Sequence, residues 1–353
     1  SAQPEPKKRV CGWLTGYRGG AIGIAVSNEN AGPSLFEQVM AAVSLDVDID
    51  RYIFAHPIGF SLIGHERATR RRLIVRMPME ERAVSRTRVN FDITTELRRH
   101  KLPFGIPISV ARGEVHGQPF FAEEMLDGNA VDRVELCRPH VYERVARAGV
   151  RALIDFQRSL RECTTFTPAV INRVLSPVLN AAEEALAGHT GSHLLRDINA
   201  YIVNSLAGRS LPLVPVHGDF TYDNILLDRE KRTVAGVFDW DLAERHGVPL
   251  VDLFYYLAAM NRARTNRTFP PIFSEVLRTG FDYLERSLIA DYCRALEIPD
   301  DLQKVLFAFS ALHHIGVREY RAERYLYLKS YWTETMEAAA ALAAAATLEE
   351  VLA

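Results

Sequence analysis

The sequence has few cysteines, no excess of charge of either sign and no long apolar run, and each of these absences excludes a class of protein. Its 353 residues include 42 Lys and Arg against 44 Asp and Glu, which gives a net charge of −2. Proteins dedicated to nucleic acid usually have a clear basic excess, so we expect no nucleic-acid partner. No apolar stretch approaches the ~18 residues of a membrane-spanning helix, so we expect no membrane partner.

The cysteines and histidines show no spacing typical of a metal site or a disulfide framework. The four cysteines are far apart and form no C-x-x-C pair: Cys11, Cys137, Cys163 and Cys293. This pattern predicts a reducing, cytoplasmic environment. Residues 1–10 lack the apolar stretch of a signal peptide, and we expect them to form a solvated tail.

Apolar residues make up 48% of the chain, which is enough for a large core, and the length predicts two domains or one bilobal unit. Short β-branched or aromatic runs predict strands at 22–26, 72–76 and 119–123, with a helix over 84–100. Residues 30–70 show no assignable pattern. After Asp127-Gly128 the spacing predicts long helices, at 140–160, 170–186 and 192–206, and a strand–turn–strand block at 213–239. The sequence therefore predicts an α+β chain with a small strand-rich part and a larger helical part.

The most informative pattern is the segment 216–227, V-H-G-D-F-T-Y-D-N-I-L-L. Apolar residues on both sides predict buried flanks around a tight polar loop. Phosphoryl transfer needs an acceptor for the hydroxyl proton, metal ligands and a fixed geometry. Asp219 and Asn224 have the five-residue spacing of the Asp and Asn in the protein-kinase catalytic loop, where the Asn coordinates magnesium.

A second acidic block follows in G-V-F-D-W-D at 236–241. Asp239 comes at the end of an apolar run, where a carboxylate is well placed to hold a magnesium ion that bridges nucleotide phosphates. Magnesium binds hard oxygen ligands and takes few of them from the protein.

These two blocks, together with G-V-P-L-V-D-L at 247–253, resemble the aminoglycoside phosphotransferase/choline kinase-like superfamily, with its motifs H-G-D-x-x-x-x-N and D-W. The resemblance implies a bilobal, protein-kinase-like fold with a β-rich N-lobe and a larger helical C-lobe. It places nucleotide binding in residues 1–126. It also places the catalytic loop at 216–227 and the metal-binding segment at 236–253, within a C-lobe of residues 127–353.

The resemblance also implies roles for individual side chains. Asp219 would be the catalytic base, and Asn224 and Asp239 would be the magnesium ligands. His217 would complete the catalytic site by orienting the loop, and Asp252 would brace that loop.

In the predicted N-lobe, the segment 14–23 is rich in glycine, and the resemblance favours Gly16, Gly19 and Gly20 as a loop that covers phosphates. It lacks G-K-[ST] and is not a Walker P-loop; an ordinary β-turn is the alternative. Arg76 stands where the family has its β3 cation and would clamp nucleotide phosphates bidentately. The alternative is a surface arginine that follows Arg70–Arg72.

The acidic partner of Arg76 is left open by the sequence. The family has a Glu about fourteen to sixteen residues later, and this chain offers Asp92 at sixteen and Glu96 at twenty. The segment at Glu124 and Met125 resembles the hinge, where backbone atoms would bind adenine.

The function implied is a kinase that uses Mg²⁺ and ATP, with GTP as the alternative, to phosphorylate a hydroxyl of a small molecule such as an antibiotic, sugar or amino alcohol. A second hypothesis is a catalytically inactive, kinase-like nucleotide-binding module that acts through a partner protein, which the sequence does not identify. The complete set Asp219, Asn224 and Asp239 argues against it. Kinase chemistry on protein or RNA is a third hypothesis. The short segment before Asp252 leaves little room for a protein-kinase activation loop.

Three arginines, Arg262, Arg264 and Arg267, follow within six residues of one another. If they line the acceptor pocket, they would repel a polycation and favour a neutral or anionic acceptor. The alternative is a solvated loop that faces away from the cleft.

Overall fold

A computed structural model describes residues 35–42, 46–55, 59–188, 192–318, 333, 335–341 and 344 of the chain. The predicted tail at 1–10 and the predicted strand at 22–26 lie outside these residues. Where the structure describes the chain, no helix is both long and apolar enough to cross a membrane.

The N-lobe is a five-stranded antiparallel sheet with the strand order β1-β2-β3-β5-β4. Its elements, in chain order, are α1 (Leu35–Ala42), β1 (Val47–Ala55), β2 (Gly59–Glu66), β3 (Arg72–Pro78), α2 (Glu81–Leu97), β4 (Ile108–Val115) and β5 (Gln118–Glu124). The strands predicted at 72–76 and 119–123 and the helix predicted over 84–100 are confirmed. Strands β1 and β2 fall in the region without an assignable pattern, because charged residues interrupt β1 and two glycines interrupt β2.

The C-lobe is mainly helical, with two small three-stranded sheets, β10-β9-β6 and β11-β8-β7. Its elements are β6 (Asn129–Ala130), α3 (Arg133–Leu136), α4 (Pro139–Leu160), β7 (Glu162–Thr165), α5 (Pro168–Val174), α6 (Ser176–Leu186), α7 (Leu195–Leu206), β8 (Ser210–Val216), β9 (Ile225–Leu227), β10 (Val234–Val237), β11 (Glu244–Gly247), α8 (Val251–Thr265), α9 (Phe269–Thr279), α10 (Tyr283–Leu296) and α11 (Gln303–Arg318). Residues 335–341 are helical as well.

Most of the predicted helices are present, with one correction. The helix over 140–160 is confirmed as α4. The single helix predicted over 170–186 is in fact two helices, α5 and α6, which meet at Leu175. Pro177 stands in the first turn of α6, where its missing N–H costs nothing, whereas inside a continuous helix it would break a hydrogen bond.

A single apolar core fills the C-lobe, and Trp240 belongs to it. The indole ring is 1% exposed and packs edge-on against Phe156 of α4, with 5.6 Å between ring centroids. Phe104, from the segment after α2, also contacts it. The core therefore reaches the boundary between the lobes and includes Trp240 of the predicted metal-binding segment 236–253.

The two lobes are also joined through their backbones away from the covalent connection. The N–H of Gly105 donates to the carbonyl of Ala235 at 2.9 Å, and the N–H of Val237 donates to the carbonyl of Gly105 at 2.9 Å. These two bonds attach the segment after α2 to β10. The architecture is thus the α+β, bilobal, kinase-like fold that the sequence predicts.

Candidate active site

Strand β8 leads into the H-G-D loop. The strand is buried from Leu211 to Val216 and ends directly before His217. The chain then turns at Gly218, whose φ of +76° lies in the left-handed region that glycine adopts without strain. A 3₁₀ turn over Tyr222–Asn224 follows. The polar residues of the loop therefore stand at the end of a rigid, buried strand.

His217 is fully buried, and both of its ring nitrogens make contacts within the protein. Nδ1 accepts the backbone N–H of Asp219 at 3.2 Å, and Nε2 lies 3.0 Å from the carbonyl oxygen of Phe238. Because Nδ1 accepts, the proton belongs on Nε2, which donates to that carbonyl. The ring also packs against Trp240, with 4.5 Å between centroids. These contacts make His217 a residue that positions the loop.

The carboxylate of Asp252, in the first turn of α8, binds the backbone of the same loop. One oxygen accepts the N–H of His217 at 2.7 Å, and the other accepts the N–H of Gly218 at 2.9 Å. Gln157 of α4 donates to this carboxylate at 3.2 Å and accepts the hydroxyl of Tyr292. Burial raises the pKa of Asp252 to about 7, although the hydrogen bonds from the two backbone N–H groups act in the opposite direction and lower it.

Of the two predicted magnesium ligands, Asn224 contacts Asp219 directly through its side chain, and Asp239 is connected to Asn224 through the backbone. The amide nitrogen of Asn224 donates to the backbone carbonyl of Asp219 at 2.9 Å. The backbone carbonyl of Asn224 accepts the N–H of Phe238 at 3.1 Å, directly before Asp239. Asp239 has a φ of +68°, so the chain turns sharply at this residue. The loop and the following acidic block are therefore one connected unit.

Arg76 of β3 joins this unit from the N-lobe. Its Nη1 lies 3.5 Å from a carboxylate oxygen of Asp239, and its Nε lies 3.4 Å from a carboxylate oxygen of Glu123 on β5. Burial opposes the charged form of Arg76, but the two carboxylates raise its pKa above the ordinary value. Burial raises the pKa of Glu123, and Arg76 opposes this shift.

Neither acidic residue suggested by the sequence is the partner of Arg76. Asp92 pairs with Arg112 at 2.6 Å, and Glu96 pairs with Arg245 at 2.5 Å. Both lie on faces of α2 that do not meet Arg76. The expectation of an acidic partner on the helix is therefore wrong, and the acid comes from a neighbouring strand.

Asn90, which sequence reasoning missed, connects these groups. Its amide nitrogen donates to Glu123, and its amide oxygen accepts the backbone N–H of Trp240 at 2.9 Å. It lies fourteen residues after Arg76, at the spacing expected of the helical acid. The spacing from Arg76 therefore pointed to position 90, but an asparagine there does not match the acidic residue that was expected. Glu123 could have been noticed as an acid at the end of an apolar strand.

Asp241 and Arg86 were also missed. Burial and the neighbouring charge of Asp239 raise the pKa of Asp241 to about 7, while Arg86 of α2 lowers it. Arg86 donates to the carbonyl of Val317 at 3.2 Å, and burial lowers its own pKa to about 10. A second arginine of the N-lobe thus faces the two acidic residues that follow β10.

The predicted hinge lies at the end of β5. The N–H of Met125 donates to the carbonyl of Arg72 at 2.9 Å, so this N–H is engaged within the sheet and only the carbonyl of Met125 is left for a ligand. The side chain of Glu124 lies 3.6 Å from Arg71. The predicted phosphate-covering residues lie outside the described residues: Gly16, Gly19 and Gly20.

Two of the three arginines proposed for the acceptor pocket are engaged elsewhere. Arg264 stacks on the ring of Tyr142, 4.7 Å from its centroid, and lies 3.7 Å from Asp282. Arg267 forms an ion pair with Glu275. Their charges are therefore balanced by carboxylates, and the role of these two arginines in an acceptor pocket stays a prediction.

Arg262 is oriented differently. Its guanidinium lies 5.3 Å from the centre of the Phe269 ring, and its charge acts on Asp223 of the catalytic loop. Burial raises the pKa of Asp223, and Arg262 opposes this shift. Arg262 is thus the arginine of the three whose charge reaches the catalytic loop.

Comparison with known proteins shows which family this chain belongs to. Residues 64–307 match the phosphotransferase enzyme family, APH. The chain belongs to this family. The matched range includes Arg76, the H-G-D loop and the acidic block.

Individual relatives of this phosphotransferase are distant. It is 29% identical over 151 residues to acyl-CoA dehydrogenase family member 11 of Gallus gallus; the match covers 40% of the chain and spans only 18% of that protein. Its structure is similar to that of an APH(2″) enzyme in complex with GDP and kanamycin, at 14% identity and a TM-score of 0.54, covering 86% of this chain and 96% of the other. It is also similar to the GDP complex of an aminoglycoside 2′-phosphotransferase-IIIa, at 17% identity and a TM-score of 0.52, with the same coverage of both chains.

Proposed function

We propose that this phosphotransferase transfers the γ-phosphoryl group of ATP, or alternatively GTP, to a hydroxyl group of a small molecule. One observation carries the proposal: the backbone and side-chain contacts that connect Asp219, Asn224 and Asp239 to Arg76 of the other lobe. Phosphoryl transfer is catalysed almost entirely by positioning and by stabilisation of charge, and this unit contains groups for both.

Asp219 accepts the proton of the acceptor hydroxyl as the new O–P bond forms. Its carboxylate belongs to a residue that is 9% exposed, on a loop fixed by Asp252 from one side and by His217 from the other. A positioned general base contributes roughly 10²–10⁴-fold to the rate. Arg76 neutralises charge on the nucleotide phosphates, and His217 only positions the loop.

The residues at this site fit a magnesium ion. The amide nitrogen of Asn224 is engaged with Asp219, which leaves its amide oxygen as a metal ligand, and the backbone carbonyl of Asn224 is bonded to Phe238, directly before Asp239. Oxygen ligands in small number are what magnesium takes in such sites. Asn224 and Asp239 would hold the ion, and Mg²⁺ when bound neutralises charge on the phosphates.

The nucleotide would lie between residues 1–126 and residues 127–353, which we propose as the two functional lobes. Its base would lie against the hinge at Glu124 and Met125, where the carbonyl of Met125 is an acceptor. Similarly folded proteins that bind GDP, and kanamycin in one case, support a nucleoside triphosphate and a small-molecule acceptor. They also make GTP the first alternative to ATP. The acceptor would be an antibiotic, a sugar or an amino-alcohol metabolite.

The test measures release of ADP or GDP, with Mg-ATP or Mg-GTP, across aminoglycosides, macrolides, sugars and amino alcohols. We expect acceptor-dependent release that Asp219→Asn lowers at least ~10²-fold in kcat, with little change in nucleotide affinity. Asp155→Asn, an exposed aspartate of α4 that pairs with Arg158, is the matched control and should keep full activity. Nucleotide binding without acceptor-dependent release would instead favour the inactive nucleotide-binding module.

A further inference from the structure

The carboxylate nearest to Arg76 within its own sheet comes from β5. In the pairing of β3 with β5, Glu123 lies opposite Ile74 and Phe121 lies opposite Arg76. Side chains two residues apart on a strand share one face, so Glu123 is the diagonal neighbour of Arg76. Glu123 is 1% exposed, and its side chain is directed at the guanidinium.

The helix that faces this pair contributes an amide where a carboxylate was expected. Asn90 is 2% exposed and contacts both sides of the site: Glu123 through its nitrogen and the backbone of Trp240 through its oxygen. An amide carries no charge and so cannot neutralise Arg76. It can, however, fix the direction of a carboxylate and of a backbone N–H at the same time.

We propose that Glu123 and Asn90 together replace the acidic residue that the family has on the helix. Glu123 on β5 supplies the negative charge that pairs with Arg76, and Asn90 on α2 orients the Glu123 carboxylate. Glu123 neutralises the charge of Arg76 and fixes its direction. Asn90 fixes the position of Glu123 relative to the segment that contains Asp239, because it bonds to both. Both are positioning residues, and the inference rests on the proposed function, because it assigns Arg76 to the nucleotide phosphates.

The geometry indicates what removal of the carboxylate would do. Arg76 lies between two anions at nearly equal distance, 3.4 Å to Glu123 and 3.5 Å to Asp239. Without the charge of Glu123, the guanidinium is drawn to the acidic block, where Asp239 is in ion-pair contact with it and Asp241 adds a second negative charge. It would then occupy the carboxylate proposed for magnesium and be withdrawn from the phosphates.

The experiment compares Glu123→Gln with a double variant that returns the acid to the helix, Asn90→Glu with Glu123→Gln. We expect Glu123→Gln to lower kcat/KM for the nucleotide about tenfold, which corresponds to about 1.4 kcal/mol, because the buried charge that directs Arg76 is lost. The KM for the acceptor should stay within twofold. The double variant should recover to within about threefold of the wild type, because a carboxylate at position 90 still accepts the Trp240 N–H.

Two further variants separate charge from folding. Asn90→Glu alone places two acids side by side, so its thermal midpoint should fall below that of the double variant. Asp92→Asn, on the same helix but paired with Arg112, is the matched control and should leave all constants unchanged.

The outcomes are distinguishable. If the wild type neither binds nor turns over a nucleotide, the proposed function fails and this inference falls with it. If the wild type is active and Glu123→Gln keeps its kcat/KM for the nucleotide, only the positioning role is overturned. If the double variant folds but its kcat/KM for the nucleotide is no higher than that of Glu123→Gln, a carboxylate on α2 cannot replace the one on β5, and this part of the proposal is overturned.

Discussion

Gly218 lies so close to Leu242 that no side chain fits between them. A Cβ atom on Gly218 would come 2.3 Å from the backbone carbonyl oxygen of Leu242. The φ of Gly218 is also positive, at +76°. The H-G-D loop therefore needs glycine at its centre for two separate reasons, backbone conformation and space.

We expect Gly218→Ala to destabilise the protein well beyond the cost of its backbone conformation. Gly208→Ala is the matched control, because Gly208 has a φ of +74° and no atom within 4 Å of the added Cβ. The left-handed conformation alone costs about 1–2 kcal/mol for a residue with a side chain. Urea unfolding should therefore give about 1 kcal/mol for Gly208→Ala and clearly more for Gly218→Ala. Equal losses would contradict the close approach to Leu242.

The buried carboxylate of Asp252 predicts a pH dependence of stability. Burial raises its pKa from 3.8 to about 7, so folding takes up a proton between these values. The stabilisation is fully present below pH 3.8 and is lost as the pH rises through 7. Asp252→Asn lacks this effect. We expect the free energy of unfolding of the wild type, relative to the variant, to fall by about 2 kcal/mol from pH 5 to pH 7.

Urea unfolding at pH 5, 6, 7 and 8 measures this difference. Asp155→Asn serves as the control, because Asp155 lies on the surface of α4. A difference between wild type and Asp252→Asn that stays constant over this range would show that Asp252 keeps its charge in the folded protein.

Removal of Asp239 should abolish protection by the nucleotide. A ligand at about 100 Kd adds about 2.7 kcal/mol to the folded state. We expect Mg-ATP to raise the thermal midpoint of the wild type and to have little effect on Asp239→Ala. The measurement is a thermal shift with and without EDTA, and Asp155→Ala is the control. Equal protection of wild type and Asp239→Ala would remove Asp239 from the nucleotide site.

Arg262 predicts a preference for acceptors that are neutral or anionic. Its guanidinium acts on Asp223 beside the catalytic loop, whereas Arg267 is bound to Glu275. We expect Arg262→Ala to raise the KM for the acceptor several-fold without changing the KM for ATP, and Arg267→Ala to change neither. Steady-state kinetics with varied acceptor measures this. Robust phosphorylation of a polycation such as kanamycin, unchanged in Arg262→Ala, would disprove the preference.

The sequence predicts the parts of the site that belong to one continuous segment. The H-G-D loop and the D-W block bring together Asp219, Asn224 and Asp239, because short strands hold each block close to the other. Their spacing along the chain is therefore sufficient to predict them. The change in periodicity after residue 128 likewise predicts a strand-rich part followed by a helical part, and the kinase-like fold is what the resemblance of the motifs implies.

The partners of Arg76 could not be predicted, because they depend on the register between β3 and β5 and on the face that α2 turns inward. Glu123 is one of two consecutive acids, and only the pairing of the strands decides which of them faces Arg76. The same holds for the arginines in the last turn of α8: Arg262 and Arg264 are two residues apart, and helical geometry directs them to different neighbours.

The backbone bridge between Gly105 and β10 limits how the two lobes can move. The chain that follows β5 and this bridge are two separate places at which the backbones of the lobes are joined in the described part of the structure. A body attached at two points can turn only about the line through both of them. The hydrogen bond from the N–H of Trp240 to the side chain of Asn90 is a further attachment, beside the ion pair of Arg76 with Asp239 and the bond from Arg86 to Val317. Asn90 also contacts Glu123, the partner of Arg76. An opening of the cleft that lengthens the bond from Trp240 to Asn90 would therefore also disturb the residues that align Arg76, and would link the proposed exchange of nucleotide to the position of this arginine.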